Sequence, residues 1–199
     1  MRIQSSLSVA KKGLRFDEVQ FIRSWLEKPL ATGAVMPSGK VLARTMARYV
    51  DLEVAGPVIE LGPGTGAVTE ALVAHGVDPA RLVLVEFNPV FCRMLRARYP
   101  EATVVQGDAY SLRRLLGGFL RQPAAAVVSG LPLVTKPFKR RLRLLFDVLS
   151  LMLPGAPFIQ FTYAVGSPIP RRPTNVAAEA SERIWMNLPP ARVWVYRRG

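Results

Sequence analysis

From residue 57 onward, short apolar runs alternate with stretches of helical periodicity. This alternation is typical of a parallel β-sheet whose strands are joined by crossover helices. The predicted strands are residues 57–61, 82–87, 103–107, 124–129, 156–163 and 192–196, and the predicted helices between them are 67–75, 89–98, 111–120 and 137–152. The sequence therefore predicts an α/β fold.

Two further helices are predicted before the first strand. Residues 15–28 have a broad apolar arc and end at Pro29, which cannot continue a helix. The second helix is predicted from Ser38, as N-cap, to Val50. We therefore place a domain boundary after residue 50.

The net charge of +13 is unevenly distributed. Residues 51–110 carry a net charge of −4, whereas residues 1–50, 111–146 and 147–199 carry +6, +8 and +3. A domain this basic usually binds an anionic partner, either nucleic acid or a membrane surface. The acidic segment predicts a second ligand of different charge. With one cysteine and one histidine in the chain, we expect neither a disulfide framework nor a metal site.

A glycine-rich turn, Glu60–Gly66 (ELGPGTG), joins the first predicted strand to the helix after it. Glycines let a backbone turn tightly and approach a ligand closely. Glu86 and Asp108 end the second and third predicted strands, at the sheet edge where open α/β folds bind ligands. A carboxylate at position 86 can accept the hydroxyl protons of a ribose, and Asp108 can accept from an adenine amino group.

The turn departs from the dinucleotide-binding pattern, which would have glycine at position 67, where this chain has alanine. Glu60 would also repel a pyrophosphate and attract a cation. A nucleoside that carries ammonium and sulfonium groups suits the three acids better. The pattern therefore predicts S-adenosylmethionine as the cofactor, without a metal.

The chain resembles the class I S-adenosylmethionine-dependent methyltransferases and, among them, the bacterial phospholipid N-methyltransferases. The resemblance is carried by VIELGPGTGAVTEAL, LVLVEFNPVFCRMLRARYP, VVQGDAY, VVSGLPL, FIQFTYAVGSPIP and NLPPARVW. It implies a Rossmann-like, seven-stranded, mostly parallel sheet with an antiparallel edge strand. It also implies methylation of phosphatidylethanolamine, and of its mono- and dimethyl derivatives, toward phosphatidylcholine, with S-adenosylhomocysteine as the by-product.

The resemblance and the acids at the strand ends together give the candidate site. The predicted cofactor residues are Glu60, Gly62, Pro63, Gly64, Thr65, Gly66, Glu86, Phe87, Asn88, Asp108, Ala109, Ser129, Gly130 and Leu131. By the resemblance, the run Ser129–Pro132 lines the methyl-transfer site. Ser129 and Tyr163 are the candidate catalytic residues. Tyr163 would orient the amine by a hydrogen bond or its ring face, or else it is simply packed at a strand end.

Residues 1–50 are predicted to be a helical membrane-binding or lid segment, and residues 51–199 the methyltransferase domain. An interfacial helix would place aromatic side chains at the lipid boundary and basic ones near anionic headgroups. The candidate lipid-binding residues are Lys11, Lys12, Arg15, Phe16, Phe21, Arg23, Trp25, Arg171 and Arg172. The alternative is a core helix that covers the sheet or the pocket. The basic run 136–143 is either a second lipid-facing patch or a solvated surface.

Two other functions stay open. The rRNA adenine dimethylases share the E-x-GPG turn and a basic surface, but their Asn-x-Pro-aromatic motif corresponds here to Ser129–Leu133 (SGLPL). This run lacks the amide and the ring that hold a flipped base. The family's C-terminal helical domain also has no counterpart. A lipid-binding module with a vestigial cofactor fold is the non-enzymatic alternative, although the three acids are intact.

The expected partners are a phospholipid substrate and an anionic membrane, and not a nucleic acid. The N-terminus has no apolar run suited to a signal peptide, and prolines and glycines interrupt the charge-free stretch 148–170. We interpret this stretch as a helix end, a turn and a buried strand. The sequence thus predicts a cytoplasmic protein, peripherally associated with the inner membrane, that is a monomer or weak oligomer.

Overall fold

The structure, a computed structural model, describes residues 39–169, 176–187 and 189–198. The predicted helix 15–28 and the predicted N-cap Ser38 lie outside the described residues. The same is true of every candidate lipid-binding residue: Lys11, Lys12, Arg15, Phe16, Phe21, Arg23, Trp25, Arg171 and Arg172. Their roles stay predictions.

Five helices and seven strands make up the described part of the chain. The helices are α1 (Lys40–Ala47), α2 (Ala67–His75), α3 (Pro89–Arg98), α4 (Leu112–Leu116) and α5 (Phe138–Leu149). The strands are β1 (Val58–Leu61), β2 (Leu82–Glu86), β3 (Thr103–Gln106), β4 (Ala126–Ser129), β5 (Phe158–Thr162), β6 (Val176–Ala180) and β7 (Arg192–Arg198).

All seven strands form one sheet in the order β3-β2-β1-β4-β5-β7-β6. The first five strands are parallel to one another, and β7 runs antiparallel to β5. The edge strand β6 in turn pairs antiparallel with β7. The predicted α/β fold, a mostly parallel seven-stranded sheet with antiparallel pairing at one edge, is confirmed.

Local capping explains why α2 and α3 have the predicted bounds. The Asn88 side chain accepts a hydrogen bond from the Val90 N–H at 2.8 Å, and Pro89 takes the first helical position. The last residue of α2 is His75, and Gly76 follows in a left-handed conformation with φ 116°. These start and stop signals lie within a few residues of the helix ends, so the sequence reveals them.

The bounds of α1 differ from the prediction. Gly39, and not Ser38, is the N-cap, and the regular helix ends at Ala47 instead of Val50. The Gly39 N–H donates to Oδ1 of Asn187, 148 residues away along the chain, at 2.9 Å. A tertiary contact thus fixes the start of α1, and local sequence does not report it.

The core occupies both faces of the sheet. Helices α1, α2 and α3 cover one face, and helices α4 and α5 cover the other. Strands β1, β2, β4 and β5 are buried along their whole lengths, as expected for a sheet covered on both sides. Leu42 and Met46 of α1 are fully buried in the same cluster as residues of β5 and β7. The predicted domain boundary after residue 50 stays a prediction.

Sequence patterns missed or misplaced three elements. Strand β6 was not predicted, because its Val-Ala-Ala-Glu-Ala sequence has weak β propensity and half-exposed edge positions. Helix α4 ends at Leu116, before Gly117-Gly118, whereas the prediction extended it to residue 120. Helix α5 ends at Leu149, whereas the prediction extended it to residue 152. For residues 148–169, which the structure describes, the interpretation as a helix end, a turn and a buried strand is confirmed. Among the described residues, no helix is long and apolar enough to cross a bilayer.

Candidate active site

The glycine-rich turn after β1 depends on left-handed backbone conformations. Gly62, Gly64 and Gly66 have φ angles of +68°, +55° and +82°, which side chains disfavour. A Cβ on Gly62 would lie 2.9 Å from the Leu131 side chain. The turn after β1 and the loop after β4 therefore approach each other closely, as a cradle for a small ligand requires.

Glu86, the last residue of β2, holds this turn in place. Its Oε2 accepts the Gly64 N–H at 3.0 Å, and its Oε1 accepts the Asn88 N–H at 2.8 Å. The side chain is buried. A carboxylate oxygen has two acceptor positions, so each oxygen retains one that can accept a ribose hydroxyl.

Glu60, on β1, is buried next to the same turn. The Thr69 hydroxyl donates to its Oε2 at 2.6 Å. Burial raises the pKa of Glu60 to about 8, the Thr69 hydrogen bond opposes this shift, and the nearby Glu86 adds to it. A cation bound beside Glu60 would favour the ionised carboxylate, which suits the positively charged cofactor that the sequence predicts.

Asp108 lies at the edge of a cavity of about 320 Å³. Its Oδ1 accepts the Tyr110 N–H at 3.0 Å, and its Oδ2 pairs with Arg140 at 3.2 Å. The Arg140 guanidinium also lies over the Tyr110 ring, 4.4 Å from its centre. An adenine amino group at Asp108 would share this carboxylate with Arg140.

The cavity brings together about half of the predicted cofactor residues. Its lining includes Gly62, Glu86, Phe87, Asp108, Ala109 and Leu131. It also includes Tyr110, Lys136 and Arg140, which were not predicted to contact the cofactor. A larger cavity, of about 940 Å³, lies at the amino ends of the parallel strands. None of Glu60, Glu86 and Asp108 lines it.

The other predicted cofactor residues lie beside this cavity. Glu60, Pro63, Gly64, Thr65 and Gly66 belong to β1 and the turn after it, and Asn88 caps α3. Ser129 is fully buried at the end of β4, and its hydroxyl accepts the Leu131 N–H at 3.3 Å. The hydroxyl therefore shapes the loop, and the predicted roles of Ser129 in cofactor binding and catalysis stay predictions.

Gly130 packs directly on the turn after β1. Its N–H donates to the Leu61 carbonyl at 2.8 Å, and a Cβ at this position would lie 2.8 Å from the Gly62 carbonyl oxygen. Leu133, three residues further on, is buried in the core. The loop after β4, which is predicted to line the methyl-transfer site, therefore presents backbone at position 130 and has no ring at position 133.

Gln160 of β5 is a site residue that the sequence analysis missed. Its buried Nε2 donates to the carbonyl oxygens of Leu131 and Phe161 at 2.9 and 2.7 Å. Its Oε1 is also buried and has no hydrogen-bond partner among the described residues. The side chain thus anchors the loop after β4. The sequence does contain a signal for this role: Gln160 is a polar residue within a predicted buried strand, and a buried polar side chain needs hydrogen-bond partners.

Tyr163 directly follows β5 and packs edge-on against Phe161, with ring centres 5.4 Å apart. Its buried hydroxyl has no hydrogen bond of normal geometry among the described residues. Burial raises the pKa of Tyr163, and the neighbouring Asn187 side chain partly offsets this shift. The tyrosine is therefore a neutral donor next to the start of α1. This packing is compatible both with a tyrosine that orients the amine and with one that is simply packed at a strand end. Its catalytic role therefore stays a prediction.

Asn187 also escaped the sequence analysis, although it lies in the NLPP motif. Its side chain is buried, accepts the Gly39 N–H and donates to the Pro189 carbonyl at 2.8 Å. It therefore ties the start of α1 to the segment before β7.

Within the ranges 39–169, 176–187 and 189–198, no group of three or more His, Cys, Asp or Glu residues could hold a metal ion.

Comparisons with known proteins agree with this geometry. The family model described as "Ribosomal RNA adenine dimethylase" matches residues 38–114. The ornithine lipid N-methyltransferase of Singulisphaera acidiphila is 32% identical over 145 residues, which cover 71% of this chain and 76% of that protein. A ribosomal RNA small subunit methyltransferase A of Synechococcus sp. is 37% identical over 95 residues, which cover 45% of this chain and 30% of that protein.

A solved structure shows the same fold. The N-methyltransferase NodS from Bradyrhizobium japonicum WM9, in complex with S-adenosylhomocysteine, superposes with a TM-score of 0.63. Its sequence is 12% identical, and the match covers 91% of this chain and 98% of NodS.

The strand order, the glycine turn and the three acids define a class I S-adenosylmethionine-dependent methyltransferase. The chain belongs to this family, as its similarity over most of a lipid N-methyltransferase shows. S-adenosylmethionine is therefore its methyl donor, and the predicted cofactor is confirmed.

Proposed function

We propose that the protein methylates the headgroup amine of a membrane lipid. Phosphatidylethanolamine and its mono- and dimethyl derivatives are the proposed substrates, and phosphatidylcholine is the proposed end product. The similarity to a lipid N-methyltransferase over 76% of that protein supports the lipid class. An ornithine lipid, which also carries a primary amine, is the second candidate substrate on the same ground.

The observation that carries this proposal is the contact between Gly130 and Gly62. The rRNA adenine dimethylases have an asparagine at the position of Gly130, and here a Cβ would lie 2.8 Å from the Gly62 carbonyl oxygen. The corresponding aromatic position is Leu133, which is buried in the core. The two groups that hold a flipped adenine are therefore replaced by groups that cannot bind one.

Adenine methylation of RNA is the second candidate function, and the match to the rRNA dimethylase family supports it. That match ends at residue 114, before the loop that begins at Ser129. It therefore covers the strands that hold the cofactor acids and not the loop on the acceptor side. For this reason we favour the lipid.

S-adenosylmethionine supplies an electrophilic methyl group, and the residues of this chain must align an amine with it. Alignment of two reactants lowers a barrier by about 7–11 kcal/mol in well-oriented systems. The amine must also lose a proton. The chain's single histidine, His75, lies at the opposite end of α2 from the glycine-rich turn and contacts the Val50 carbonyl at 3.2 Å. We therefore assign the orientation of the amine to Tyr163 and to carbonyl oxygens of the loop after β4, and we propose that water accepts the proton that the amine releases.

The proposed place of action is an anionic membrane surface, at the cytoplasmic face of the inner membrane. The net charge of +13 and the predicted N-terminal helix support this part of the proposal. Such a location would give a water-soluble cofactor and a membrane-embedded acceptor access to one site.

The experiment that tests the proposal offers lipids and RNA to the same enzyme preparation. The purified full-length protein is incubated with methyl-labelled S-adenosylmethionine and vesicles that contain phosphatidylethanolamine, ornithine lipid or neither, and separately with structured rRNA. We expect the label in extracted lipid, above all from the phosphatidylethanolamine vesicles. Label from ornithine lipid alone would correct the substrate, and label in RNA but in neither lipid would contradict the proposal.

A further inference from the structure

The outer surface formed by helices α4 and α5 is basic and partly aromatic. Residues 111–146 contain eight basic residues and no acidic one. Phe138 and Phe146 of α5 are 43% and 54% exposed, although phenylalanine is usually buried. We call six exposed residues on this surface the α4–α5 face: Arg113, Arg114, Phe138, Lys139, Arg143 and Phe146.

Three arginines of this face lack protein partners in the described part of the chain. Arg113, Arg114 and Arg143 line a depression of about 380 Å³ together with Ser111 and Asp147. None of the three guanidinium groups forms a hydrogen bond or an ion pair with another described residue. Asp147 supplies one negative charge against the three positive ones, so the cluster retains a net positive charge and is suited to an external anion.

The basic and aromatic side chains share one side of α5. Lys139, Arg143 and Phe146 are four and three residues apart, which places them on one face of a helix. They are all exposed, whereas Leu144, Leu145 and Val148 point into the core. The exposed stripe therefore combines positive charge with an apolar ring, the pattern of a helix that rests on a lipid surface.

The α4–α5 face adjoins the mouth of the cofactor cavity. Lys136 and Arg140, which flank the start of α5, line that cavity, and so does Phe87, which is 74% exposed. Both α4 and α5 follow parallel strands, so their first turns lie at the carboxyl edge of the sheet, where the cavity opens. A flat surface bound to the α4–α5 face would thus reach the cavity mouth.

We propose that the α4–α5 face binds the surface of an anionic phospholipid bilayer and orients the mouth of the cofactor cavity toward it. This inference rests on the proposed lipid N-methylation. Each basic group near an anionic membrane strengthens binding, so the cluster of arginines without described partners is a substantial contact. Phe138 and Phe146 enter the interfacial region beside it.

The test measures vesicle binding of the full-length protein and of the double variant Arg113→Glu/Arg143→Glu. These exposed side chains form no hydrogen bond or ion pair with another described residue, so the variant should fold. We expect its affinity for phosphatidylcholine vesicles that contain phosphatidylglycerol to fall by about tenfold or more. Neither protein should bind strongly to vesicles of phosphatidylcholine alone. Unchanged calorimetric affinity for S-adenosylmethionine would show that the variant retains its fold.

The matched control is Arg121→Glu/Arg198→Glu, which makes the same change in net charge at two exposed arginines near the amino ends of the parallel strands, away from the cavity mouth. We expect this control to bind vesicles like the wild type. Equal losses in both double variants would show that net charge alone matters, which would overturn the proposal. Wild-type vesicle affinity in Arg113→Glu/Arg143→Glu, with weakened binding of structured RNA, would assign the face to RNA and also overturn it.

Mixed micelles of detergent and phosphatidylethanolamine separate this inference from the proposed function. Micelles have no extended anionic surface, so the Arg113→Glu/Arg143→Glu variant should methylate lipid there at the wild-type rate while it loses activity on anionic vesicles. If the wild type labels no lipid in either form, the proposed function fails. If the variant equals the wild type on vesicles, only the membrane-binding role of the α4–α5 face fails.

Discussion

The backbones of Gly130 and Gly62 are in contact: a Cβ added to Gly130 would lie 2.8 Å from the Gly62 carbonyl oxygen. The contact joins the loop after β4, which we propose lies on the acceptor side, to the turn after β1, which is predicted to hold the cofactor. Because both partners are backbone, the contact cannot relax by a side-chain rotation. It therefore excludes any side chain at position 130 in this conformation.

Substitution of Gly130 by asparagine is expected to damage the site. This change introduces the residue that the rRNA adenine dimethylases have, but its Cβ would push the two loops apart, and overpacking of this kind costs about 1–3 kcal/mol. We predict a lower melting temperature, weaker cofactor binding by calorimetry and no gain of RNA methylation. Gly118→Ala is the control, because its Cβ would meet nothing within 4 Å. A Gly130→Asn variant that methylates RNA adenine would refute the steric argument.

Glu60 makes the stability of the cofactor-free protein depend on pH. The pKa of Glu60 is raised by burial from 4.5 to about 8, so between these values the folded state retains a proton that the unfolded state has lost. Stability should therefore fall as the pH rises from 4.5 to about 8, by at most about 1.4 kcal/mol per pH unit from this group. Denaturant unfolding of the wild type and of Glu60→Gln at several pH values measures this contribution.

The Glu60→Gln variant should lose this contribution, so its stability relative to the wild type should rise with pH. Its cofactor affinity should be lower, because a neutral amide attracts the cationic cofactor less than a carboxylate does. Parallel stability curves for the two proteins across the whole range would contradict the raised pKa.

Glu86 should govern cofactor binding without affecting membrane binding. The Glu86→Ala change removes the acceptor of the Gly64 and Asn88 N–H groups as well as the proposed ribose contacts. Hydrogen bonds to charged groups contribute about 1.5–3 kcal/mol each, so calorimetric affinity for S-adenosylmethionine should fall by at least about tenfold. Vesicle sedimentation should be unchanged. Glu70→Ala, at an exposed carboxylate paired with Arg98, is the control and should retain cofactor affinity.

Gln160 should act on methyl transfer through the loop after β4. The Gln160→Met change keeps a similar volume but leaves the Leu131 carbonyl without its donor, which costs about 1–3 kcal/mol. We predict reduced stability and a larger proportional change in kcat than in KM, because we propose that the loop lines the methyl-transfer site. Gln106→Met at an exposed position on β3 is the control. An unchanged kcat in Gln160→Met would show that the loop retains its position without this anchor.

The parts of the fold that the sequence reveals are those with local causes. The bounds of α2 and α3 follow from Gly76 and from Asn88-Pro89, and the acids follow from their places at strand ends. Gln160 and Asn187 escaped prediction because their partners, Leu131 and Gly39, are 29 and 148 residues away along the chain. Strand β6 escaped because its pairing with β7, and not its own sequence, makes it a strand.

The most direct test of the central claim is to identify the methylated product. The full-length protein is incubated with methyl-labelled S-adenosylmethionine, vesicles that contain both phosphatidylethanolamine and phosphatidylglycerol, and structured rRNA in one mixture, with Glu86→Ala as the inactive control. Extracted lipids are separated by methylation state, and the RNA is digested to nucleosides. The account predicts labelled mono-, di- and trimethylated derivatives of phosphatidylethanolamine and unlabelled adenosine. Labelled N6-methyladenosines with unlabelled lipid would contradict it.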